Sequence, residues 1–123
     1  MYTLDTNAVI YFLSGESAAV TLIAKAQALN DVIYVPTVVR LELLSKHDMT
    51  REEYAVITSF LDTCRYVHLD TSVADISADI RRIYRLKTPD SIIAASAIYT
   101  GTTLVTRNAK DFTKVKGIRV LKI

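Results

Sequence analysis

One cysteine, two prolines and three glycines among 123 residues exclude several kinds of protein at the outset. The lone Cys64 rules out an internal disulfide and makes the reducing cytoplasm the expected setting. So few glycines and prolines, in a chain that is 50% hydrophobic, leave no room for a disordered or low-complexity segment. The apolar runs are short and broken by charge, so none reads as a membrane span. The first residues carry no basic stretch and no small-residue cleavage site, so no signal peptide is expected. A formal net charge of +2 is too mild to announce a nucleic-acid partner by itself. The position of charge has to decide that question.

The length fits one domain, residues 1–123, with a core of ordinary size. Its opening stretch, MYTLDTNAVIYFL, sets the pattern for the rest. Tyr2, Thr3 and Leu4 favour a strand, Asp5-Thr6-Asn7 favour a turn or helix start, and the apolar residues after them suit a helix. Asp5 therefore stands at the carboxyl end of a buried strand, the edge where open α/β sheets bind ligands. Taken alone, it is no more than a helix cap.

The same alternation continues. Ser17 to Leu29 reads as a helix covered on most sides, Val32 to Val35 as a buried strand, and Pro36-Thr37 as a second strand-to-helix joint with Thr37 as cap. A helix over Val38–His47 carries Glu42. Thr50 and Glu53 form a capping box for a helix reaching about Thr63. Arg65 to Leu69 is a third strand, Asp70-Thr71-Ser72 caps the helix that follows, and Ser72 with Asp75 repeats the capping spacing before an amphipathic helix over Val73–Leu86. Thr88 caps the next helix with Pro89 in its first position, Gly101 ends it, and Ser91 to Tyr99 is apolar enough to lie deep. Thr103 to Val105 is a fourth strand, leaving through Thr106-Arg107-Asn108 to a short turn with Asp111, and Ile118 to Leu121 is the last. Repeated strand–helix units imply an α/β fold, with a mostly parallel sheet and helices on both faces.

Four acidic residues, Asp5, Glu42, Asp90 and Asp111, then fall where one sheet edge gathers them. Each has a plain alternative: Glu42 pairing with Lys46, Asp90 complementing a helix N-terminus, Asp111 in solvent beside Lys110. The runs around Glu42 and Asp90 read as too apolar for solvent faces, and carboxylates near a core edge are costly unless paired or metal-bound. Arg40 is the only base in either run, so a cation from solution is the more economical partner. Hard oxygen donors, with no zinc-like spacing among Cys64, His47 and His68, select Mg²⁺ or Mn²⁺, as one or two ions. That set suits metal-activated water attacking a phosphodiester. Arg81, Arg82, Arg85 and Lys87, in the run RRIYRLK, and Arg107 are the candidate phosphate contacts, with a solvated face as the competing reading.

LDTN at 4–7, VVRLELLS around Glu42, PDSIIAASA at 89–97 and TRNAKDF at 106–112 resemble, in order, the four acidic blocks of the PIN-domain family, and most nearly its small VapBC-type toxins. The resemblance implies a metal-dependent endoribonuclease on a five-stranded parallel sheet, with Asp5, Glu42, Asp90 and Asp111 as the acidic site. It also implies Thr6, Asn7, Thr106 and Asn108 as supporting polar residues, a cognate antitoxin, an RNA substrate and a homodimer. Arg40 and Lys110 depart from the family pattern by adding positive charge near the pocket without removing a ligand. Three alternatives stay open: an RNA-processing PIN nuclease that is not a toxin, a catalytically silent binding module, and a phosphoacceptor module. The last is disfavoured because Asp5 lacks an acidic neighbour.

Overall fold

The computed structural model describes all residues, 1–123. Five strands form one sheet, every pair of neighbours running parallel: β1 (Tyr2–Leu4), β2 (Ile33–Pro36), β3 (Arg65–Val67), β4 (Thr103–Thr106) and β5 (Arg119–Lys122). Their spatial order is β3-β2-β1-β4-β5, so the chain steps outward from β1 on one side, then returns to build the other. Right-handed crossovers in two opposite directions cover both faces of such a sheet. The crossovers are α1 (Thr6–Leu13), α2 (Ser17–Ala28), α3 (Thr37–Leu43), α4 (Arg51–Leu61), α5 (Thr71–Tyr84), α6 (Thr88–Thr100) and the short α7 (Ala109–Phe112). No single helix is long and apolar enough to cross a membrane.

The central strands are short apolar runs because both of their faces are covered. Leu4, Val35, Leu104 and Val105 are fully buried, and helices add Val9, Val39, Leu61 and Val73 to the same core. α6 is buried from Ser91 to Ala97 and lies across β1, β2 and β4. Its small residues let it approach that closely, while Ser91 and Ser96 donate to carbonyls one turn back and bury no orphan hydroxyl. Thr3 and Thr102 likewise satisfy one another at 2.6 Å in the interior.

Helix starts are where the expectations need correction. α3 begins at Thr37 itself, capped by Pro36 without a side-chain bond, and ends at Leu43 rather than His47. Thr88 is already helical, with Lys87 at the cap and Pro89 in the second position. Of the Asp70-Thr71-Ser72 run before α5, Asp70 is the cap, its Oδ1 accepting from the Val73 N–H at 2.9 Å, so Ser72 lies within the first turn and forms no cap. α5 stops at Tyr84, two residues early, because Arg85 takes a left-handed conformation at φ 59°. The Thr50 cap is as expected, its hydroxyl accepting from Glu53 N–H at 3.1 Å.

These caps give a direct test. Asp70→Ala should lower stability by about 1 kcal/mol, the usual worth of an N-cap, whereas Ser72→Ala should stay within about 0.5 kcal/mol of wild type. Urea midpoints at constant slope read both. Equal losses from the two variants would restore Ser72 to a capping role.

Candidate active site

The reversal of strand order beside β1 creates a crevice at the carboxyl edge, and Asp5 is the residue that β1 delivers there. Its backbone is extended at φ −81°, ψ 174°, and its Oδ1 accepts from the Ala8 N–H at 2.8 Å. The capping role and the site role therefore coexist in one side chain. Only 7% of Asp5 is exposed. Burial pushes its carboxyl above the ordinary value, and the charges of Asp90 and Glu42 push the same way; the Thr106 hydroxyl and the Ala8 amide pull against them.

Asp90, half-buried in the first turn of α6, is also raised, first by desolvation, then by Glu42 and Asp111, with Lys87 opposing. These mutual influences tie Asp5, Glu42, Asp90 and Asp111 into one electrostatic neighbourhood drawn from four separate elements. Glu42, in the last turn of α3, accepts from the Thr6 hydroxyl at 2.6 Å. Asp111, on α7, accepts from the Asn108 side-chain amide at 2.6 Å. Thr106 turns its own hydroxyl toward the Asn108 N–H at 3.0 Å, tightening the turn between β4 and α7. Thr6, Thr106 and Asn108 thus each support a carboxylate or the turn that bears one. Asn7 is exposed, and its side chain makes no hydrogen bond.

Several residues sit differently from the expectation. Glu42 is exposed, not embedded: in the seven-residue α3 the neighbouring Leu41 also faces out, at 64%, while Leu43 is buried. Lys46 does not reach Glu42 but pairs with Glu53 at 2.8 Å. Arg40 points away from the pocket, donating to the Tyr66 hydroxyl at 2.9 Å and lying over its ring. Arg107 is held against the protein surface, stacked 3.7 Å from the centre of the Tyr11 ring, paired with Glu16 and donating to the Ile123 carbonyl. Its guanidinium fixes the β4–α7 turn to the α1–α2 turn and is not free for a phosphate. Tyr11 and Glu16 escaped sequence reading because nothing local links them to a residue ninety positions on. Arg81 donates to the Leu86 carbonyl at 2.9 Å and Arg82 pairs with Asp79 at 2.8 Å, while Arg85 and Lys87 stand exposed without ion-pair partners.

None of the ion pairs in the structure involves any of the four site carboxylates. Nor do three acidic, histidine or cysteine side chains converge into a ready-made metal cage. One oxygen each of Asp5, Glu42 and Asp111 is engaged by a protein donor, leaving the other open. The four side chains offer hard oxygen, the donor type that a hard divalent cation takes. Beside Glu42 lies a groove of about 790 Å³ between α1, α3 and α4, lined by Ile10, Leu13, Leu43, Met49, Val56 and Ile57 among others.

The sequence matches the family model described as PIN domain over residues 2–118. The chain is a PIN domain. This PIN domain is similar to Ribonuclease VapC19 of Mycobacterium tuberculosis, with 29% identity over 117 residues, covering 91% of this chain and 92% of that protein. Among solved structures it resembles VapBC2 from Rickettsia felis bound to a fragment of promoter DNA, at a TM-score of 0.87 and 21% identity, over 99% of this chain and 98% of that one. It also resembles a toxin–antitoxin complex from Klebsiella pneumoniae, at a TM-score of 0.74 and 27% identity, over the full length of both chains. The five-stranded parallel sheet of this PIN domain agrees with the architecture expected from its sequence.

The raised carboxyls make stability depend on pH. A group whose folded pKa lies above its unfolded value adds stability at low pH and loses it as pH rises through the folded value. For Asp5 and Asp90 the window opens at the ordinary value of 3.8 and extends upward to the raised folded values. In EDTA, Asp90→Asn should therefore melt higher than wild type near neutrality, and the gap should shrink as pH falls toward 4. Thermal melts of the two proteins across that range read the difference. A gap independent of pH would remove Asp90 from the shared neighbourhood.

Proposed function

We propose that this PIN domain is a metal-dependent endoribonuclease, cleaving RNA phosphodiester bonds as the toxin of a type II toxin–antitoxin pair in the cytoplasm. The observation that carries the reading is the set of four carboxylates at the edge beside β1, two of them raised and none ion-paired with a protein cation. Similarity to a ribonuclease over nearly the whole chain supports the same chemistry.

Asp5, Glu42, Asp90 and Asp111 would hold Mg²⁺ or Mn²⁺, as one or two ions. Such an ion, when bound, activates water at neutral pH and offsets the charge that builds on the phosphate. The chain's own residues prepare the site. The Ala8 amide orients Asp5, the Thr6 hydroxyl fixes one oxygen of Glu42, and the Asn108 amide fixes one oxygen of Asp111. Each bond restricts a side chain that would otherwise sample several rotamers, and leaves its second oxygen available. Burial around Asp5 excludes water from one side of the pocket and strengthens every charge interaction within it.

Arg85 and Lys87 are the phosphate contacts this reading favours, with Arg81 and Arg82 behind them. The apolar groove beside Glu42 supports a protein partner, and the solved complexes this chain resembles suggest an antitoxin as its class. A homodimer accords with the family.

Asp5→Asn and Asp90→Asn keep side-chain shape and remove charge, so Mg²⁺-dependent cleavage of RNA should fall by orders of magnitude in each. Asn108→Ala, which frees Asp111 without touching a ligand, should cost about 10- to 100-fold in activity or metal affinity. Gel assays of RNA cleavage with Mg²⁺, Mn²⁺ or EDTA check all three. Cleavage that persists in EDTA, or near-normal rates in both aspartate variants, would overturn the proposal.

A further inference from the structure

A pocket of four carboxylates repels the substrate proposed for it, since RNA brings a negative charge with every nucleotide. Cations must stand close enough to offset that repulsion. Two segments distant in sequence meet beside the pocket in a way that supplies them. The Tyr84 hydroxyl, at the end of α5, accepts from the Lys116 backbone N–H at 3.1 Å. The contact sets the α5–α6 turn against the loop that follows α7.

Both segments are basic. Arg85 and Lys87 come from the first, and Lys110, Lys114 and Lys116 from the second; all are exposed and none belongs to an ion pair. No acidic residue lies between Arg81 and Pro89, and Asp111 is the only one between Lys110 and Gly117. Asp79 before the first segment is paired with Arg82, and the remaining acidic neighbours, Asp90 and Asp111, are members of the pocket. Three cations nearer the rest of the pocket are engaged within the protein: Lys46 by Glu53, Arg40 by Tyr66 and Arg107 by Glu16. On the opposite flank, beside Glu42, the groove is mainly apolar and edged by Glu52 and by the Lys46–Glu53 ion pair. A polyanion is drawn to the basic flank, and the groove offers it no unpaired cation.

We propose that Lys114 and Lys116, facing Arg85 and Lys87 across the Tyr84 contact, form a phosphate-binding rim that leads the RNA backbone past Asp111 and Asp90 into the pocket. The inference rests on the ribonuclease reading and gives it a direction of approach. Lysine suits the task, because a compact charge on a flexible stem follows phosphates without demanding one geometry.

The test is binding of a single-stranded RNA oligonucleotide in EDTA, followed by fluorescence anisotropy across a KCl series. Each phosphate contact on a single strand contributes about 0.7 to the slope of log affinity against log salt. Lys114→Ala/Lys116→Ala should therefore flatten the slope by about 1.4, whereas Lys25→Ala, an exposed lysine on α2, should leave it unchanged. With Mg²⁺ the double variant should raise KM and keep kcat at saturating RNA. An unchanged slope, an equal loss in Lys25→Ala, or a fall in kcat alone would overturn the rim. If wild type cleaves RNA while the slope is unchanged, only the rim falls. If wild type neither binds nor cleaves RNA, the ribonuclease reading falls and takes the rim with it.

Discussion

The constraint on which this edge of the molecule depends is the burial of one carboxylate. Asp5 ends the central strand β1, is almost wholly enclosed, and lies near two further negative charges. An isolated carboxylate in that setting would be neutral or absent. Two neighbouring groups make it tolerable. The Ala8 amide is an orphan donor of the first turn of α1 and needs an acceptor in any case. The Thr106 hydroxyl, at the end of the adjacent β4, also favours the charged form of Asp5. The same bond thus starts a helix and holds a charge in place, which is why a short strand-turn-helix suffices to build the deepest part of the site.

Topology does the rest. Because β1 is flanked by β2 on one side and β4 on the other, the elements that follow β1, β2 and β4 all begin around one crevice. α1 brings Thr6, α3 brings Glu42, α7 brings Asp111, and α6, crossing β1, β2 and β4, brings Asp90. No two of these carboxylates are close in sequence, so their mutual repulsion is a product of the fold alone. Thr6 and Asn108 limit its cost by directing Glu42 and Asp111, and the packed core beneath, from Leu4 to Val105, keeps the four elements from relaxing apart.

How much of this is legible in the sequence follows from what kind of signal each feature leaves. The parallel sheet is readable because buried strands such as IYVP and TLVT are short apolar runs separated by helical stretches. The four acidic positions are readable because each follows a strand or opens a buried helix. Cap positions slip by a residue or two at Thr37, Ser72 and Thr88, since the cap is decided by the backbone angles of the incoming chain, and several polar residues in a row compete for the place. The exposure of Glu42 is misread because apolar neighbours at adjacent positions lie on other faces of a helix; Leu41 is itself exposed. Arg107 is misread for a different reason. Its partners Tyr11 and Glu16 are brought to it only by the packing of α1 against β4, which no local pattern records.

Charge placement then divides the edge into two flanks of different character. Lys46 and Arg107 are paired with Glu53 and Glu16 elsewhere in the fold, while Arg85, Lys87, Lys110, Lys114 and Lys116 are left unpaired in one place, so a chain of net charge +2 carries a basic margin there. The margin exists because the left-handed turn at Arg85 ends α5 early and turns the chain toward Lys87 and Asp90. Had α5 continued through Leu86, Arg85 would lie on the helix face shared with Arg81, directed along α5 and not toward the α7 loop. The Glu42 flank, by contrast, presents Ile10 and Val56 at 45% and 54% exposure, surface that water covers poorly and that an apolar partner covers well. The basic margin and the apolar groove therefore border the same four carboxylates from separate sides.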